Sequence, residues 1–515
     1  MNKYTLNINH KISLLMFLLA STSLNYINAA DAATEPSFTG KPYQQPQDLD
    51  THLPKDSSNN LPDLGDISQT VLTPQQEQRI AAQIMREVYS SNEVLQDIEI
   101  TDYIQALGHK LAASSPDKHQ EFNFFVVNDS SINAFAMPGG VIGVHTGLII
   151  GANSESELAS VLGHEIGHVT QRHLARMLAS QKYDVFKNLA ATALAILVSR
   201  SNPQLASGAM TATAAANVQK QLDYTREHER EADRVGLTIL NDAGFDVRGM
   251  PAFFTTLQRG TRFVDGNAPS YLRTHPLTSE RIADVSNRVQ NLPYHQAADS
   301  LDFHLAKAKV RAAQGLPNRA VEEFENNINE RRFNNEIAEH YGLALSYLRA
   351  NNLPKAQNQM AWLRKNASQH PNFEHLDAEI QEANHQIPKA LDIYANALKK
   401  FSAHRGLIYG EAELFLTNRE VDKAIKLVNE KLPLYPNDAN LFDTLAKAYG
   451  MKGKVLLKHQ AQSESYFRKY DLNNAVEQME LASKAKDGNF YERSIVEARL
   501  KELRRLQENE KQARG

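Results

Sequence analysis

Small residues recur at a nearly constant interval through the second half of the chain. One series consists of Ala320, Ala356, Ala390 and Ala424. A second series precedes the first by the same offset at every member and consists of Ala308, Ala344, Ala378 and Ala412. Because small side chains at both places let two helices approach closely, this spacing predicts stacked helix hairpins from about residue 301 onward.

The interval in both series matches the tetratricopeptide hairpin, whose period is about 34 residues. We therefore predict an all-α tetratricopeptide solenoid over residues 299–515, with an irregular helical bundle as the alternative. The period of small residues continues to Ala446, is interrupted by Lys458 at the next expected position, and resumes at Ser463 and Ala475. Since Ser463 follows Ala446 by only half a period, one additional helix is predicted to be inserted there.

Residues 1–70 carry no pattern typical of a folded core. Lys3, His10 and Lys11 precede an apolar run over residues 12–20, and small residues follow, which predicts a signal peptide over residues 1–30. An uncleaved anchor is the alternative, but the run is shorter than a bilayer requires. Residues 31–70 are rich in Pro, Gln, Asn and Ser and predict a disordered arm or linker.

Composition restricts the possible chemistry. The chain has no cysteine, which excludes disulfides, thiolate metal ligands and thiol nucleophiles. Fifty-six Lys and Arg residues against 60 Asp and Glu residues give a net charge of -4, so nothing favours nucleic acid as a partner. Any metal must therefore be bound by His, Asp or Glu.

Residues 71–298 predict a mostly helical domain with a small β-sheet. Residues 122–127 and the two pieces of 133–147 on either side of Pro138-Gly139-Gly140 predict a strand followed by a hairpin or a two-strand edge. Apolar residues at helical spacing predict one helix over 155–179 and another over 218–240. The fold class expected for the whole chain is α+β, mostly α.

The first of these helices contains the motif His164-Glu165-Ile166-Gly167-His168, an H-E-x-x-H sequence. Residues four apart share a helix face, so both imidazoles can bind one zinc ion while Glu165 reaches a water beside it. Zinc lowers the pKa of such a water, and the carboxylate can then act as general base in peptide-bond hydrolysis. The motif predicts one Zn²⁺ per chain, with two surface histidines as the alternative.

A catalytic zinc site commonly has three protein ligands. A histidine six residues beyond His168 is one arrangement, but Leu174 stands there. The other common arrangement takes a carboxylate from a second helix, and Glu229 and Asp233 lie four residues apart on one face. We predict that Glu229 binds the metal and that Asp233 accepts a hydrogen bond from a ligating histidine. The alternative is a solvated face paired with neighbouring arginines.

In combination these motifs resemble a known class of enzymes. H-E-x-x-H, followed about 60 residues later by E-x-x-x-D and preceded by Asn133-Ala134-Phe135-Ala136 and Pro-Gly-Gly, is similar to the gluzincin-type metallopeptidases that include HtpX and the CAAX prenyl endoproteases. The export signal and the tetratricopeptide array narrow the resemblance to the periplasmic β-barrel assembly-enhancing proteases of Gram-negative bacteria. It extends from about residue 70 to the end of the chain.

The resemblance implies roles for individual residues. His164, His168 and Glu229 would bind zinc, Glu165 would be general base and acid, and Asp233 would orient a ligand. His275 would be a regulatory fourth ligand that keeps the enzyme latent, because filling the open position displaces the water. Stabilising the oxyanion, or a structural role in its own loop, are the alternatives for this residue.

The resemblance also implies a substrate-binding edge strand made of Gly140, Val141, Ile142, Gly143 and Val144, which would pair with an extended peptide. His145 and His173 are expected to be structural, the latter because an unbroken helix would rotate it off the ligand face. The apolar segment 185–217 is either buried helix and hairpin packing, or a lid or membrane-touching flap over the cleft.

The function implied is that of a soluble periplasmic zinc endopeptidase that degrades misassembled outer-membrane β-barrel proteins and aids their assembly as a chaperone. Its partners would be unfolded or misassembled outer-membrane proteins and, through the tetratricopeptide domain, the β-barrel assembly machinery, with peripheral membrane contact as a further option. The alternative is a chaperone or scaffold whose zinc site is latent or structural. Glu165 favours the enzyme, because a structural site needs no such carboxylate.

Overall fold

The computed structural model describes residues 72–91, 93–118, 120–180, 212–262 and 270–514. Two compact units divide the chain, Pro74–Gly410 and Glu411–Gly515. No helix among the described residues is both long and apolar enough to cross a membrane. The predicted signal peptide and arm, residues 1–70, lie outside the described residues.

Helices dominate the chain, as the predicted fold class requires. Those before the repeat array are α1 Pro74–Ser90, α2 Ile98–Ala112, α3 Thr146–Gly151, α4 Glu155–Thr170, α5 His173–Ser180, α6 Ala212–Asp242, α7 Gly249–Arg262, α8 Ser270–Thr274 and α9 Ser279–Gln290. Helix α6 includes the predicted helix over 218–240 and is followed by Gly244 at a φ of 77°. Of the apolar segment 185–217, residues 185–211 lie outside the described residues, so the lid remains a hypothesis.

A small sheet lies among these helices. It contains β1 Asn123–Val127, β2 Ala134–Met137 and β3 Val141–His145 in the order β1-β3-β2, with β3 parallel to β1 and antiparallel to β2. Gly139 and Gly140, with φ of 72° and 79°, form the turn between β2 and β3. A Cβ on Gly139 would lie 2.6 Å from the carbonyl oxygen of Glu77, so the turn needs glycine. The predicted strand and hairpin are confirmed.

The prediction that residues 140–144 form an edge strand is wrong. Ile142 faces Phe124 of β1 on one side and Ala136 of β2 on the other, so β3 is the central strand and Gly140 belongs to the turn before it. All five residues of β3 are buried, as expected of a strand covered on both faces. Neither outer strand has a further strand beside it among the described residues, but an isolated bridge from Val94 to Val127 covers part of the outer edge of β1, whereas β2 has no such bridge.

Helix α4 crosses α6 at glycine positions. A Cβ on Gly167 would lie 3.0 Å from the carbonyl oxygen of Ala232, and one on Gly236 would lie 3.0 Å from the backbone nitrogen of His164. The two backbones can approach this closely only because these positions are glycine. The crossing brings residues 229–233 of α6 beside the H-E-x-x-H turn of α4.

The helix predicted over residues 155–179 is interrupted. Helix α4 ends at Thr170, and α5 begins at His173 after Arg172, whose φ is 52°. A left-handed residue ends an α-helix and changes the direction of the chain. His173 therefore does not occupy the position that an unbroken helix would give it.

The repeat array consists of paired helices. They are α10 Leu301–Ala313, α11 Pro317–Asn329, α12 Glu336–Arg349, α13 Leu353–Asn366, α14 Pro371–Ala383, α15 Ile387–Lys400, α16 Arg405–Thr417, α17 Val421–Lys431, α18 Ala439–Met451, α19 Val455–Arg468, α20 Leu472–Lys484 and α21 Phe490–Arg514. All eight alanines of the two predicted series are buried, each at most 5% exposed. The small residues thus lie where the helices of each hairpin meet.

Turn geometry follows the same period as the alanines. Left-handed residues between paired helices lie at Gly315, Asn351, His385, Arg419 and Gly453, and the next, Tyr470, follows after only half that interval. Across the shift, Ser463 of α19 donates a hydrogen bond of 2.6 Å to the carbonyl oxygen of Ala475 in α20. The change of phase is therefore one helix long, as predicted.

Buried polar contacts join the first repeats to the helices before them. Glu99, near the start of α2, lies 2.6 Å from Lys309 Nζ of α10 and 2.7 Å from His375 Nδ1 of α14. Glu155, at the start of α4, accepts two hydrogen bonds of 2.8 Å from Ser300, the N-cap of α10. These contacts explain why Pro74–Gly410 is one compact unit, whereas the domain boundary at residue 299 stays a prediction.

Candidate metal centre

Four possible metal ligands meet beside the crossing of α4 and α6. His164 and His168 come from α4, Glu229 comes from α6, and His275 directly follows α8. One ligand atom of each residue lies within 4.8 Å of the others. His168 is partly buried and the other three are buried, so the pattern of a solvated acidic face is excluded for Glu229.

The separations of these atoms match a four-coordinate site. His164 Nε2 lies 3.0 Å from His168 Nε2 and 3.3 Å from Glu229 Oε2. His275 Nδ1 lies 3.4 Å from His164 Nε2 and 3.0 Å from Glu229 Oε1. Ligands at the usual distance from a tetrahedral zinc ion are ~3.3 Å from one another. The residues present therefore fit a metal ion of this kind.

Glu165 lies beside the four ligands and is fully buried. Neither of its carboxylate oxygens makes a hydrogen bond within the described part of the chain, and His275 Nε2 lies 3.4 Å from Oε1. Burying a carboxylate without hydrogen-bond donors is costly, so the position of Glu165 calls for a further partner beyond this contact with His275. A water or a substrate amide at the metal meets that requirement.

Asp233 contacts the side of His164 that faces away from the other candidate ligands. Its Oδ1 lies 2.9 Å from His164 Nδ1, which places a proton on Nδ1 and directs the lone pair of Nε2 towards the other ligands. Burial lowers the pKa of His164, but the carboxylates of Asp233 and Glu229 outweigh burial and raise it to about 10. A metal ion must therefore displace a proton from this imidazole.

Arg281 was missed in the sequence. It is 2% exposed, it donates two hydrogen bonds of 2.7 Å to Asp233, and its Nη1 lies 2.8 Å from Glu229 Oε2. The same Nη1 donates to the carbonyl oxygen of Pro276 at 2.9 Å. Burial raises the pKa of Glu229, but His275 and Arg281 hold it well below its ordinary value. The sequence offered one clue to Arg281, which is its place in the first turn of a helix whose N-cap is Thr278.

His275 is held among the ligands by its neighbours. Its ring stacks on Tyr271 with centroids 4.6 Å apart, and its backbone nitrogen donates to the carbonyl oxygen of Tyr271 at 2.8 Å. The side chain lies against His164, Glu165 and Glu229 instead of capping its own loop. Tyr271 is a second residue that sequence analysis did not single out.

His173 is absent from the metal cluster among the described residues, which agrees with the structural role expected for it, but the reason given for that expectation is wrong. Because the helix breaks at Arg172, His173 Nδ1 lies 2.9 Å from His168 Nδ1, and its Nε2 lies 3.1 Å from Glu231 Oε2. Its ring stacks on His228 with centroids 4.3 Å apart. His173 thus orients a ligating histidine from behind, in the way that Asp233 orients His164.

His145 lies at the end of β3 and is absent from the metal cluster among the described residues. Its Nδ1 is 2.9 Å from Ser131 Oγ, and Asp129 Oδ1 lies 3.7 Å away. These contacts satisfy a buried imidazole within the loops around the sheet, which agrees with the structural role expected for it.

Comparisons with known proteins identify the family. Residues 100–289 match Peptidase family M48, a range that contains the four ligands, Glu165, Asp233 and Arg281. The "Beta-barrel assembly-enhancing protease" of Yersinia pestis is 31% identical over 451 residues, which cover 87% of this chain and 92% of that protein. The chain belongs to the family of beta-barrel assembly-enhancing proteases. The resemblance inferred from the motifs is thereby confirmed.

Other relatives agree with this assignment. The beta-barrel assembly-enhancing protease of Escherichia coli K12 is 30% identical over 468 residues, 88% of this chain and 93% of that protein. A Vibrio cholerae protein described as "Putative beta-barrel assembly-enhancing protease" is 39% identical over 320 residues, which cover 62% of this chain and 66% of that protein. Membership of this family makes the chain a zinc metalloendopeptidase.

Proposed function

We propose that the chain is a periplasmic endopeptidase that cleaves misassembled outer-membrane β-barrel proteins and aids their assembly. The observation that carries this proposal is the group of His164, His168, Glu229 and His275, whose ligand atoms lie within 4.8 Å of one another. It lies beside the buried carboxylate of Glu165, which accepts no hydrogen bond from the described residues. The name shared by the relatives supports outer-membrane barrels as the substrate class.

His164, His168 and Glu229 would hold one Zn²⁺ per chain, with Asp233 and His173 orienting the two imidazoles. Zinc supplies a Lewis acid that polarises the scissile carbonyl and lowers the pKa of water. Glu165 would accept a proton from the attacking water and return it to the nitrogen of the leaving amine. It is fully buried, and its oxygens accept no hydrogen bond from the described residues, although His275 Nε2 lies 3.4 Å from Oε1.

His275 would keep the enzyme latent. Its Nδ1 has the separations expected of a fourth ligand, and its Nε2 lies 3.4 Å from Glu165 Oε1, in the space that water or substrate would need. Release would require His275 to leave the cluster, together with the short helix α8 that carries Tyr271. A lid formed by residues 185–217 remains a separate hypothesis.

An extended substrate would pair with β2, not with the central strand β3. Residues 134–137 of β2 lie beside α4, and their outer edge is open within the described residues. Adding a strand satisfies the substrate's backbone without selecting many side chains, so broad cleavage specificity would follow.

The repeat array would contact protein partners. Stacked helix hairpins form an extended surface that suits the β-barrel assembly machinery or an unfolded client. A chaperone or scaffold with a latent metal site is the second candidate. It is favoured by one observation, which is that His275 occupies the fourth ligand position in this conformation.

The test is metal content together with cleavage of an unfolded outer-membrane barrel protein. We expect one zinc per chain by elemental analysis, its loss in a His164→Ala, Glu229→Ala double variant, and its retention in Glu165→Gln, which should not cleave. Absence of bound metal from the wild type would overturn the ligand assignment. Metal without cleavage, even after His275→Ala, would favour the scaffold.

A further inference from the structure

An exposed apolar surface lies on the second compact unit. Phe490 and Tyr491, the first two residues of α21, are 87% and 73% exposed. Met451, Val455 and Ile495 are 49%, 46% and 40% exposed. We call residues 451–455 and 484–495 the tip patch. Single exposed apolar residues need no explanation, but a contiguous group with two aromatic rings indicates a binding surface.

The two segments of the tip patch lie side by side. Asp487 accepts a hydrogen bond of 2.7 Å from the backbone nitrogen of Val455 and one of 3.1 Å from that of Leu456. The apolar residues of both turns therefore belong to one surface, although the two turns are well separated in sequence.

The aromatic pair is held rigidly. Asn489 Oδ1 accepts from the backbone nitrogen of Glu492 at 2.9 Å, and Glu492 Oε2 accepts from that of Asn489 at 2.9 Å, which is a reciprocal cap of α21. Arg493 closes the preceding turn with hydrogen bonds to the carbonyl oxygens of Gly488 and Lys486. Phe490 and Tyr491 are thus presented by a fixed helix start and not by a frayed end.

The charge around the rings is positive. The tip patch contains five basic residues, Lys452, Lys454, Lys484, Lys486 and Arg493, and two acidic residues, Asp487 and Glu492. Both carboxylates already accept backbone hydrogen bonds. Lys452 is paired with Asp422 outside the patch. Lys454, Lys484 and Lys486 are exposed and form no salt bridge with the described residues, although Asp487 and Glu480 attract the first two through space. Their charge is therefore available to an anionic partner.

We propose that the tip patch is a docking site for an anionic lipid bilayer. Exposed aromatic rings surrounded by lysines match the interfacial anchors of peripheral proteins, in which rings enter the headgroup region and lysines contact anionic lipids. A protein partner fits less well, because lysine is depleted at protein interfaces. The site would hold the protease at a membrane surface.

The test is co-sedimentation of the full chain with phosphatidylglycerol-containing vesicles and with pure phosphatidylcholine vesicles. We expect binding to the first kind only, with affinity that falls as salt rises. A Phe490→Ser, Tyr491→Ser variant and a Lys454→Glu, Lys484→Glu, Lys486→Glu variant should each lose binding about tenfold or more. Circular dichroism and thermal melting should be unchanged in both, which verifies folding independently of the proposed function.

Matched controls place the same changes on exposed residues of the first unit. A Tyr294→Ser, Leu316→Ser variant and a Lys365→Glu, Lys389→Glu, Lys399→Glu variant alter the same numbers of apolar or basic side chains outside the tip patch. They should bind vesicles like the wild type. The proposal is overturned by a wild type that does not bind, by equal losses in the controls, or by self-association through Phe490 and Tyr491 without vesicle binding.

Discussion

Arg281 and Asp233 form a bidentate ion pair inside the protein, with Nε and Nη2 each 2.7 Å from one carboxylate oxygen. The third nitrogen, Nη1, reaches Glu229 and the carbonyl oxygen of Pro276. One guanidinium thus contacts the ligand carboxylate, the residue that orients His164, and the segment that carries His275. The metal centre therefore depends on a residue that need not touch the metal.

Replacing Arg281 by Met should weaken zinc binding. The change leaves the buried carboxylates of Glu229 and Asp233 without their counter-ion, and losing such an outer contact typically costs about 10–100-fold in metal affinity. Competition with a chromophoric chelator measures this. Arg288→Met on the same helix is the control, because Arg288 is exposed and pairs with the exposed Asp284, away from the metal centre. Equal zinc affinity in both variants would contradict the assigned role of Arg281.

Replacing His275 by Ala should increase cleavage while zinc remains bound. The variant removes the fourth ligand and clears the space beside Glu165, whereas His164, His168 and Glu229 are kept. Initial rates on an unfolded barrel protein, with zinc content measured on the same sample, test this. A lower rate at full zinc occupancy would instead support the oxyanion-stabilising role.

Replacing Gly236 by Ala should disturb the centre through the helix crossing. The new methyl group would lie 3.0–3.1 Å from backbone atoms of Gly163 and His164, so α4 and α6 must separate. Overpacking of this kind costs about 1–3 kcal/mol, and we expect both lower thermal stability and weaker zinc binding. Gly450→Ala is the matched helical control, since its new methyl group would meet only the Lys458 side chain at 3.5 Å. An unchanged melting temperature for Gly236→Ala would refute the argument.

The contact between Glu99 and His375 should make stability depend on pH. Burial lowers the pKa of His375, but Glu99 outweighs burial and raises it above its ordinary value of 6.5. Because the pKa of His375 is higher in the folded than in the unfolded chain, its protonated form stabilises the fold. This contribution is fully present below pH 6.5 and is lost as pH rises through the folded-state pKa. His375→Gln should therefore lower the free energy of unfolding by about 1.5–3 kcal/mol in mildly acidic solution and by less in alkaline solution.

Calorimetry from mildly acidic to alkaline pH measures this dependence. His295→Gln is the control, because His295 is exposed in a loop. Burial also raises the pKa of Glu99, but Lys309 and His375 hold it far below 4.5, so Glu99 stays ionised over the whole range. A destabilisation by His375→Gln that grows towards alkaline pH would contradict the assigned ion pair.

Local patterns predicted much of the fold and the residues that cluster at the candidate metal centre. The alanine period indicated the helix hairpins because the same small residues must recur wherever the same helices touch. His164 and His168 were predictable because a separation of four on a helix brings two side chains to one face. The place of the phase shift, between Ala446 and Ser463, was also visible in the sequence.

Contacts between residues that are distant in sequence were harder to predict. Strand patterns give no order within a sheet, so the sequence does not reveal that β1 adds a parallel neighbour to β3 and makes it the central strand. The left-handed conformation of Arg172, which brings His173 to His168, leaves no mark in the apolar periodicity. Arg281 contacts carboxylates of a different helix, far away in sequence, where spacing arguments have no force.

Cleavage of an unfolded outer-membrane barrel protein by the zinc-loaded His275→Ala chain, with and without Glu165→Gln, tests the central claim most directly. The account predicts peptide-bond cleavage by the single variant and its loss in the double variant, at equal zinc content. Equal cleavage by both chains would show that Glu165 is not the general base, and no cleavage by either would contradict a latent endopeptidase released by His275.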